Sequence, residues 1–310
     1  MVTSTIPTID LSPFVTDGDE DGKKKAMEII SLACSEYGFF QVVNHGVPLS
    51  LMSRAMELSK IFFAYPTEEK LKSVPKSGAP LPAGYNDWDA RKEDVFICTP
   101  GTSFNVFPSN PPEFQKVMEE LFGYFIKAGQ LVESIINDCL GLPPNVLKGY
   151  NHDRSEDHMQ AYHYFPATGT DNIGAAEHQD ANCVTFVFQD DVGGLEVRKD
   201  SEWIRVNPAK GALVVNVGDV IQVLSNNRFK SGLHRVVRTE GKSRYSFPFF
   251  YSINRDKWIE PLSQLTREIG EPAKYRGFTH RDYGVLRMRQ RTNPSRPEEK
   301  FDITHYAILT

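Results

Sequence analysis

Two imidazoles and one carboxylate set the tightest limit on how this chain can fold: His178 and Asp180 lie two residues apart, and His234 stands far downstream. Around them, past Asp157, apolar and polar residues alternate in short runs. Turn sequences separate the runs, among them Asp190-Asp191-Val192-Gly193-Gly194, Pro208-Ala209-Lys210-Gly211 and Glu240-Gly241-Lys242. A period of two reads as strand, and regularly spaced short strands read as a β-sandwich or barrel. On a strand or at its mouth, His178 and Asp180 point the same way, so His234 has to arrive from another strand. The three together make a donor set for a divalent transition metal that leaves the opposite coordination positions open. Ten residues after His234 comes Arg244-Tyr245-Ser246. Its first and last residues share a strand face, and Arg is the side chain best shaped to grip a carboxylate through paired hydrogen bonds. A carboxylate-bearing co-substrate beside the metal follows.

The spacing of these residues, with Gly193-Gly194-Leu195, Asn216-Val217-Gly218-Asp219 and Ser225-Asn226-Asn227-Arg228 between them, resembles the plant-type 2-oxoglutarate and Fe(II)-dependent dioxygenases. The resemblance covers nearly the whole chain. It implies an α+β fold with a mainly β core, a double-stranded β-helix (jelly roll) flanked by helices from the N-terminal half and a C-terminal helix. It also implies Fe(II) on His178, Asp180 and His234, and 2-oxoglutarate chelating the iron with its distal carboxylate on Arg244 and Ser246. The resemblance further implies molecular oxygen as the oxidant, ascorbate as a stimulant, and a small plant specialised metabolite that is hydroxylated, demethylated, desaturated or cyclised with release of succinate and carbon dioxide. Relatives carry a co-substrate tyrosine before the first metal ligand, where this chain has Tyr162-His163-Tyr164-Phe165-Pro166. If Pro166 anchors the register, Phe165 falls there and the bond is lost; if the following loop shifts it, Tyr164 supplies the hydroxyl. Phe250 stands where the family often stacks an aromatic ring on substrate. Phe249, Phe188 and Phe96 are candidates to complete an apolar wall, and His163 to add a polar group to the pocket.

Two rivals compete. One is an iron oxidase of the same fold that uses no 2-oxoglutarate, and the other a non-catalytic small-molecule-binding jelly roll, which leaves the metal set unexplained. A second His-x-Asp triplet, His280-Arg281-Asp282, has no distal histidine followed by Arg-x-Ser and reads as the surface of a helix. His45, in Asn44-His45-Gly46, reads as part of a turn.

The remaining chain reads in four parts. Residues 1–110 hold a helix-strand-helix unit with Phe39-Phe40-Gln41-Val42-Val43 as its strand, then a Pro- and Gly-rich stretch from Ser73 to Pro112 expected to be irregular, with Tyr85, Trp88 and Phe96 as candidate covers for the substrate. Residues 111–156 hold a long helix from Glu113 to Leu140, with Phe114, Met118, Leu121, Phe125, Ala128, Val132, Ile135 and Cys139 on one side. Residues 157–257 form the jelly-roll core, and 258–310 close it with a helix over 278–291. The arginines Arg281, Arg287, Arg289, Arg291 and Arg296 read as a solvated face. A formal charge of −5 argues against nucleic acid. Four scattered cysteines (Cys34, Cys98, Cys139, Cys183) suggest reduced thiols. The absence of a signal-like N-terminus or a bilayer-length apolar run points to a cytoplasmic protein off the membrane. A monomer is the default.

Overall fold

The computed structural model describes residues 5–16, 18–79, 81–292 and 302–308, without the side chains of 288–292; Arg289, Arg291 and Arg296 therefore lie outside the described side chains. Two sheets form the core. The larger contains β1 (Thr8–Asp10), β2 (Phe39–Val43), β3 (Gly84–Asp89), β4 (Lys92–Cys98), β5 (His158–Tyr164), β7 (Val184–Gln189), β10 (Leu213–Val217) and β12 (Arg244–Tyr251), in the order β1-β2-β10-β7-β12-β5-β4-β3. The smaller contains β6 (Ile173–His178), β8 (Leu195–Lys199), β9 (Glu202–Arg205) and β11 (His234–Val237), in the order β6-β11-β8-β9. This is the double-sheet jelly roll that the strand periodicity and the resemblance both imply.

The outer face of the larger sheet is covered by helices. The long helix α4 (counted after α1, Glu20–Glu36, α2, Leu49–Phe63, and α3, Thr67–Lys70) spans Phe114–Cys139 and buries Phe114, Met118, Leu121, Phe125, Ala128, Val132 and Ile135. Their three- and four-residue spacing gives the helix one apolar stripe, which has to lie against another element. It lies on β12 and β7, where Phe249 stacks on Phe125 (ring centroids 5.2 Å apart) and meets Phe122 edge-on at 5.0 Å. Phe188 and Phe247, paired across β7 and β12, stack on the same face.

The stretch after Ser73 departs from the expected irregular chain, because β3 and β4 form a hairpin that extends the larger sheet beyond β5. Its stabilising partner is β5, more than fifty residues on, and a Pro- and Gly-rich composition carries no trace of that long-range pairing. The sheet therefore runs continuously across the boundary placed at 110. Toward the C-terminus, β13 (Trp258–Ile259) pairs with β14 (Phe278–Thr279), and α7 (His280–Thr292) follows α5 (Val146–Tyr150) and α6 (Asp219–Leu224) as the last α-helix among the described residues. Among the described residues no helix is long and apolar enough to cross a membrane.

Because Phe249 is fully buried under α4, Phe249→Ala should lower stability by about 3–5 kcal/mol. Urea unfolding followed by circular dichroism reads this directly, and the folded variant should keep its metal affinity. A loss below about 1 kcal/mol would show that the ring is not the helix-to-sheet anchor.

Candidate metal centre

His178 ends β6 and His234 begins β11, and the two are direct partners across that antiparallel pair. Their rings therefore meet on one face, with centroids 4.2 Å apart. Asp180, just past the end of β6, turns its Oδ1 to 3.6 Å from His178 Nε2 and 3.8 Å from His234 Nε2. The three free ligand atoms lie within 4.8 Å of one another.

What surrounds each ligand fixes which atom is free. His178 Nδ1 donates to the Ala176 carbonyl at 2.8 Å, and His234 Nδ1 donates to the Gly232 carbonyl at 2.9 Å. A carbonyl can only accept, so both protons sit on Nδ1 and both Nε2 lone pairs face Asp180. The other carboxylate oxygen, Oδ2, accepts from Thr185 Oγ1 (2.7 Å) on β7 and from Asn216 Nδ2 (2.9 Å) on β10, which leaves Oδ1 for a ligand. Phe39 packs edge-on against the His234 ring at 5.2 Å. Gly232 permits this, since a Cβ there would come within 2.4 Å of the Phe39 ring. Gly218 likewise makes room for the ligand loop. A Cβ there would lie 2.2 Å from the Asn182 carbonyl, and the close approach lets Asp219 N bond the Asp180 carbonyl at 2.8 Å.

Burial, aided by the neighbouring His234, pulls His178 down to about 4, so its imidazole is neutral at physiological pH. Burial works against ionisation of Asp180, but the two histidines and the bonds from Asn216 and Thr185 outweigh it and hold the carboxyl below its ordinary value. Two neutral nitrogens and one anionic oxygen suit Fe(II).

Further along the same inward face lies a second polar centre. Arg244 is fully buried on β12, its Nη1 donating to Ser246 Oγ at 2.7 Å and its Nη2 to Gln189 Oε1 at 3.0 Å, while Nε has no partner. Among the described residues no carboxylate comes within ion-pair distance of it. Tyr164 is the cross-strand partner of Arg244 and sets its ring 5.1 Å from the guanidinium carbon. Tyr164, not Phe165, therefore stands beside the arginine, and Phe165 instead packs edge-on against His163.

The sequence candidates for the pocket divide by strand alternation. Phe250 pairs with Thr185 and with His158, on the face that carries Asp180; its ring stacks on His158 at 4.5 Å, and Phe96 stacks on the other side of His158 at 5.0 Å. Phe249 and Phe188 point to the helices on the opposite face. So does His163, which bonds Glu93 at 2.8 Å and stacks on Tyr245 at 4.5 Å. Glu93 also accepts from Lys70 and from Tyr85, each at 2.6 Å, so Tyr85 belongs to that outer network, while Trp88 is exposed. His45 bonds the Gly211 carbonyl and the Val47 amide, as a turn residue does. His280 departs from the surface reading. Arg281 and Asp282 are exposed, but His280 Nε2 bonds the Ala181 carbonyl next to Asp180, and Arg287 of the same helix donates to the Gln179 carbonyl. Thr185, Asn216, Gln189 and His158 escaped the sequence reading. Only Asn216 carried a signal there, inside Asn216-Val217-Gly218-Asp219.

A jelly roll with a facial His, Asp, His set and a buried arginine on its inner face defines a non-haem iron oxygenase. The profile of the 2OG-Fe(II) oxygenase superfamily matches residues 156–253, and that of the N-terminal region described as non-haem dioxygenase in morphine synthesis matches residues 6–116. The chain is 34% identical to a 1-aminocyclopropane-1-carboxylate oxidase of Musa acuminata, over 94% of this chain and 97% of the relative. It is 33% identical to a flavonol synthase/flavanone 3-hydroxylase of Arabidopsis thaliana, over 92% and 87%. The solved structure of JOX2 in complex with 2OG, Fe and JA superposes with a TM-score of 0.76 at 31% identity, covering 91% of this chain and 85% of the other. The chain belongs to the 2OG-Fe(II) oxygenase superfamily, an oxidoreductase family whose cofactors are Fe(II) and 2-oxoglutarate.

Asn216→Ala removes one of the two bonds that aim Asp180, and should weaken Co(II) affinity about 10- to 100-fold with the three ligands intact. Calorimetric titration checks it, and an unchanged affinity would remove Asn216 from the centre. A lowered histidine pKa means protons compete for Nε2 only in acid. Metal release with falling pH should therefore have its midpoint below the ordinary imidazole value of about 6.5, as Co(II) absorbance will show.

Proposed function

We propose that this protein is a 2-oxoglutarate-dependent Fe(II) oxygenase that oxidises a C–H bond of a small, largely apolar plant specialised metabolite, with hydroxylation as the default outcome. The observation that carries the reading is the Arg244 guanidinium, buried with no carboxylate in ion-pair contact among the described residues, Asp190 acting on it only from farther away. Burying a lone cation costs several kcal/mol unless an anion joins it. A dicarboxylate that reaches from the metal to Arg244 supplies that anion.

In this reading His178, Asp180 and His234 hold the iron. Arg244 and Ser246 take the distal carboxylate of 2-oxoglutarate, and the Tyr164 hydroxyl adds a hydrogen bond. When bound, iron and 2-oxoglutarate supply the oxidation, in which oxygen and 2-oxoglutarate yield succinate, carbon dioxide and the oxidised substrate. The chain's own part is placement. Arg244 fixes the co-substrate's orientation, its two Nη groups being already aligned by Ser246 and Gln189. Phe250 and Phe96 offer an apolar wall to the substrate and keep water from the reacting carbon. The four free cysteines, three of them buried, support a reducing compartment such as the cytosol.

Succinate released in step with product, measured for a panel of candidate metabolites, tests the reading. Product without succinate would mean that Arg244 holds a carboxylate of the substrate itself. Asp180→Ala should abolish turnover while the protein stays folded. Arg244→Lys should raise the apparent KM for 2-oxoglutarate by about tenfold or more, because one ammonium cannot reproduce the planar fork; an unchanged KM would exclude Arg244 as the anchor.

A further inference from the structure

Between the metal centre and the β3–β4 hairpin the inner face of the larger sheet carries a histidine that the proposed chemistry does not use. His158, Phe250 and Thr185 are successive cross-strand partners on β5, β12 and β7. Thr185 holds Asp180, and neighbouring strands lie about 4.8 Å apart. The His158 backbone is therefore about 10 Å from that of Thr185, with Phe250 of β12 standing between them. The imidazole is clamped by parallel rings on both faces, Phe250 at 4.5 Å and 14° and Phe96 at 5.0 Å and 10°. Only its edge is left for polar contact.

That edge has one defined character. His158 Nδ1 is 3.2 Å from the Glu156 carbonyl, which can only accept, so Nδ1 carries the proton. Nε2 makes no hydrogen bond among the described residues, and it is not sealed away as His163 Nε2 is. Burial draws the ring down to about 4, so it remains neutral despite the pull of Asp180, with Arg255 and His280 also opposing a charge. A neutral histidine with its proton on Nδ1 presents a lone pair at Nε2: an acceptor, with no donor and no positive charge.

We propose that His158 selects substrates by accepting a hydrogen bond at Nε2 from a hydroxyl or N–H group carried on an aromatic ring, and disfavours a carboxylate there. The proposal rests on the oxygenase reading and deepens it by naming the substrate class. A core histidine fixed for packing alone would have both nitrogens satisfied or enclosed. A carboxylate-binding site would present an unpaired cation; Arg255, the cation acting on His158, is already paired with Glu156 at 2.7 Å, and Arg244 stands at the other end of β12. Substrates bearing a phenolic or enolic hydroxyl, an indole-like N–H or an aromatic amide N–H fit this edge; their methyl ethers and carboxylates do not.

Three probes of equal ring size separate the possibilities: 2-naphthol offers a donor, 2-methoxynaphthalene removes it, and 2-naphthoate replaces it with an anion. Each is titrated calorimetrically, without oxygen, into protein loaded with Fe(II) and 2-oxoglutarate. We expect 2-naphthol to bind about tenfold more tightly than either of the others. His158→Phe keeps three parallel rings and removes the acceptor, so it should collapse that preference toward one while the 2-methoxynaphthalene Kd holds. His158→Gln, which restores an acceptor, should recover part of it. Should His158→Phe not fold, His158→Met, of similar volume and without a nitrogen or oxygen acceptor, makes the same comparison. Equal affinities in the wild type, no binding of 2-naphthol, or a preference that survives His158→Phe would each overturn the proposal. Failure of the oxygenase reading shows separately, as absence of the visible charge-transfer absorption when 2-oxoglutarate is added to the Fe(II)-loaded protein.

Discussion

One carboxylate ties the two sheets together. Asp180 follows a strand of the smaller sheet, yet its Oδ2 is held by Thr185 and Asn216 from two strands of the larger one. Its Oδ1 faces the imidazoles of His178 and His234, both on the smaller sheet. A metal bound there pulls on both layers at once. Neighbouring backbone depends on the same contact: the Asp219 amide bonds the Asp180 carbonyl, and Gly218 makes room for that approach. Removing either supporting bond loosens the aim of a ligand whose position decides whether three donors converge.

Buried polar groups in this jelly roll fall into two kinds. On the helix side Glu93 is satisfied within the chain by Lys70, Tyr85 and His163, although His163 Nε2 itself is enclosed without a partner. Those on the inner face include three without a hydrogen-bond partner among the described residues: Oδ1 of Asp180, Nε of Arg244 and Nε2 of His158. A protein interior tolerates such openings poorly, because an unpaired buried group loses its hydration without compensation. Their alignment along one face is what the proposed ligands would answer, a cation at one point, an anion at another and a hydrogen-bond donor at a third.

Strand alternation sorts the aromatic residues with the same logic. Phe249 and Phe250 are neighbours in sequence, but one supports α4 and the other stacks on His158. Phe188 and His163 go with the helices; Phe96 and Tyr164 go with the pocket. A shift of one residue in the register of β12 would exchange Phe249 with Phe250 and turn Arg244 and Ser246 toward the helices, so the pairing of β12 with β5 and β7 decides which of its residues line the inner face.

That His178, Asp180 and His234 come together, and that Arg244 and Ser246 share a strand face, is legible in the chain. A period of two puts His178 and Asp180 on one side, spacing singles out the distal His234 and the Arg244 and Ser246 pair, and the jelly roll follows from short alternating strands between turn signals. Local chemistry suffices for these, since each depends on residues whose faces are dictated by the pleat. Three other features were decided by the folded arrangement: β3 and β4 extend the sheet out of a Pro- and Gly-rich stretch, Tyr164 of the two candidates in its stretch stands opposite Arg244, and His280 reaches back to the chain beside Asp180. His158 is the clearest case. Nothing near it in sequence sets it apart, and its neighbours Phe96 and Phe250 come from two other strands, so its role depends on cross-strand register, a long-range quantity that no local pattern encodes.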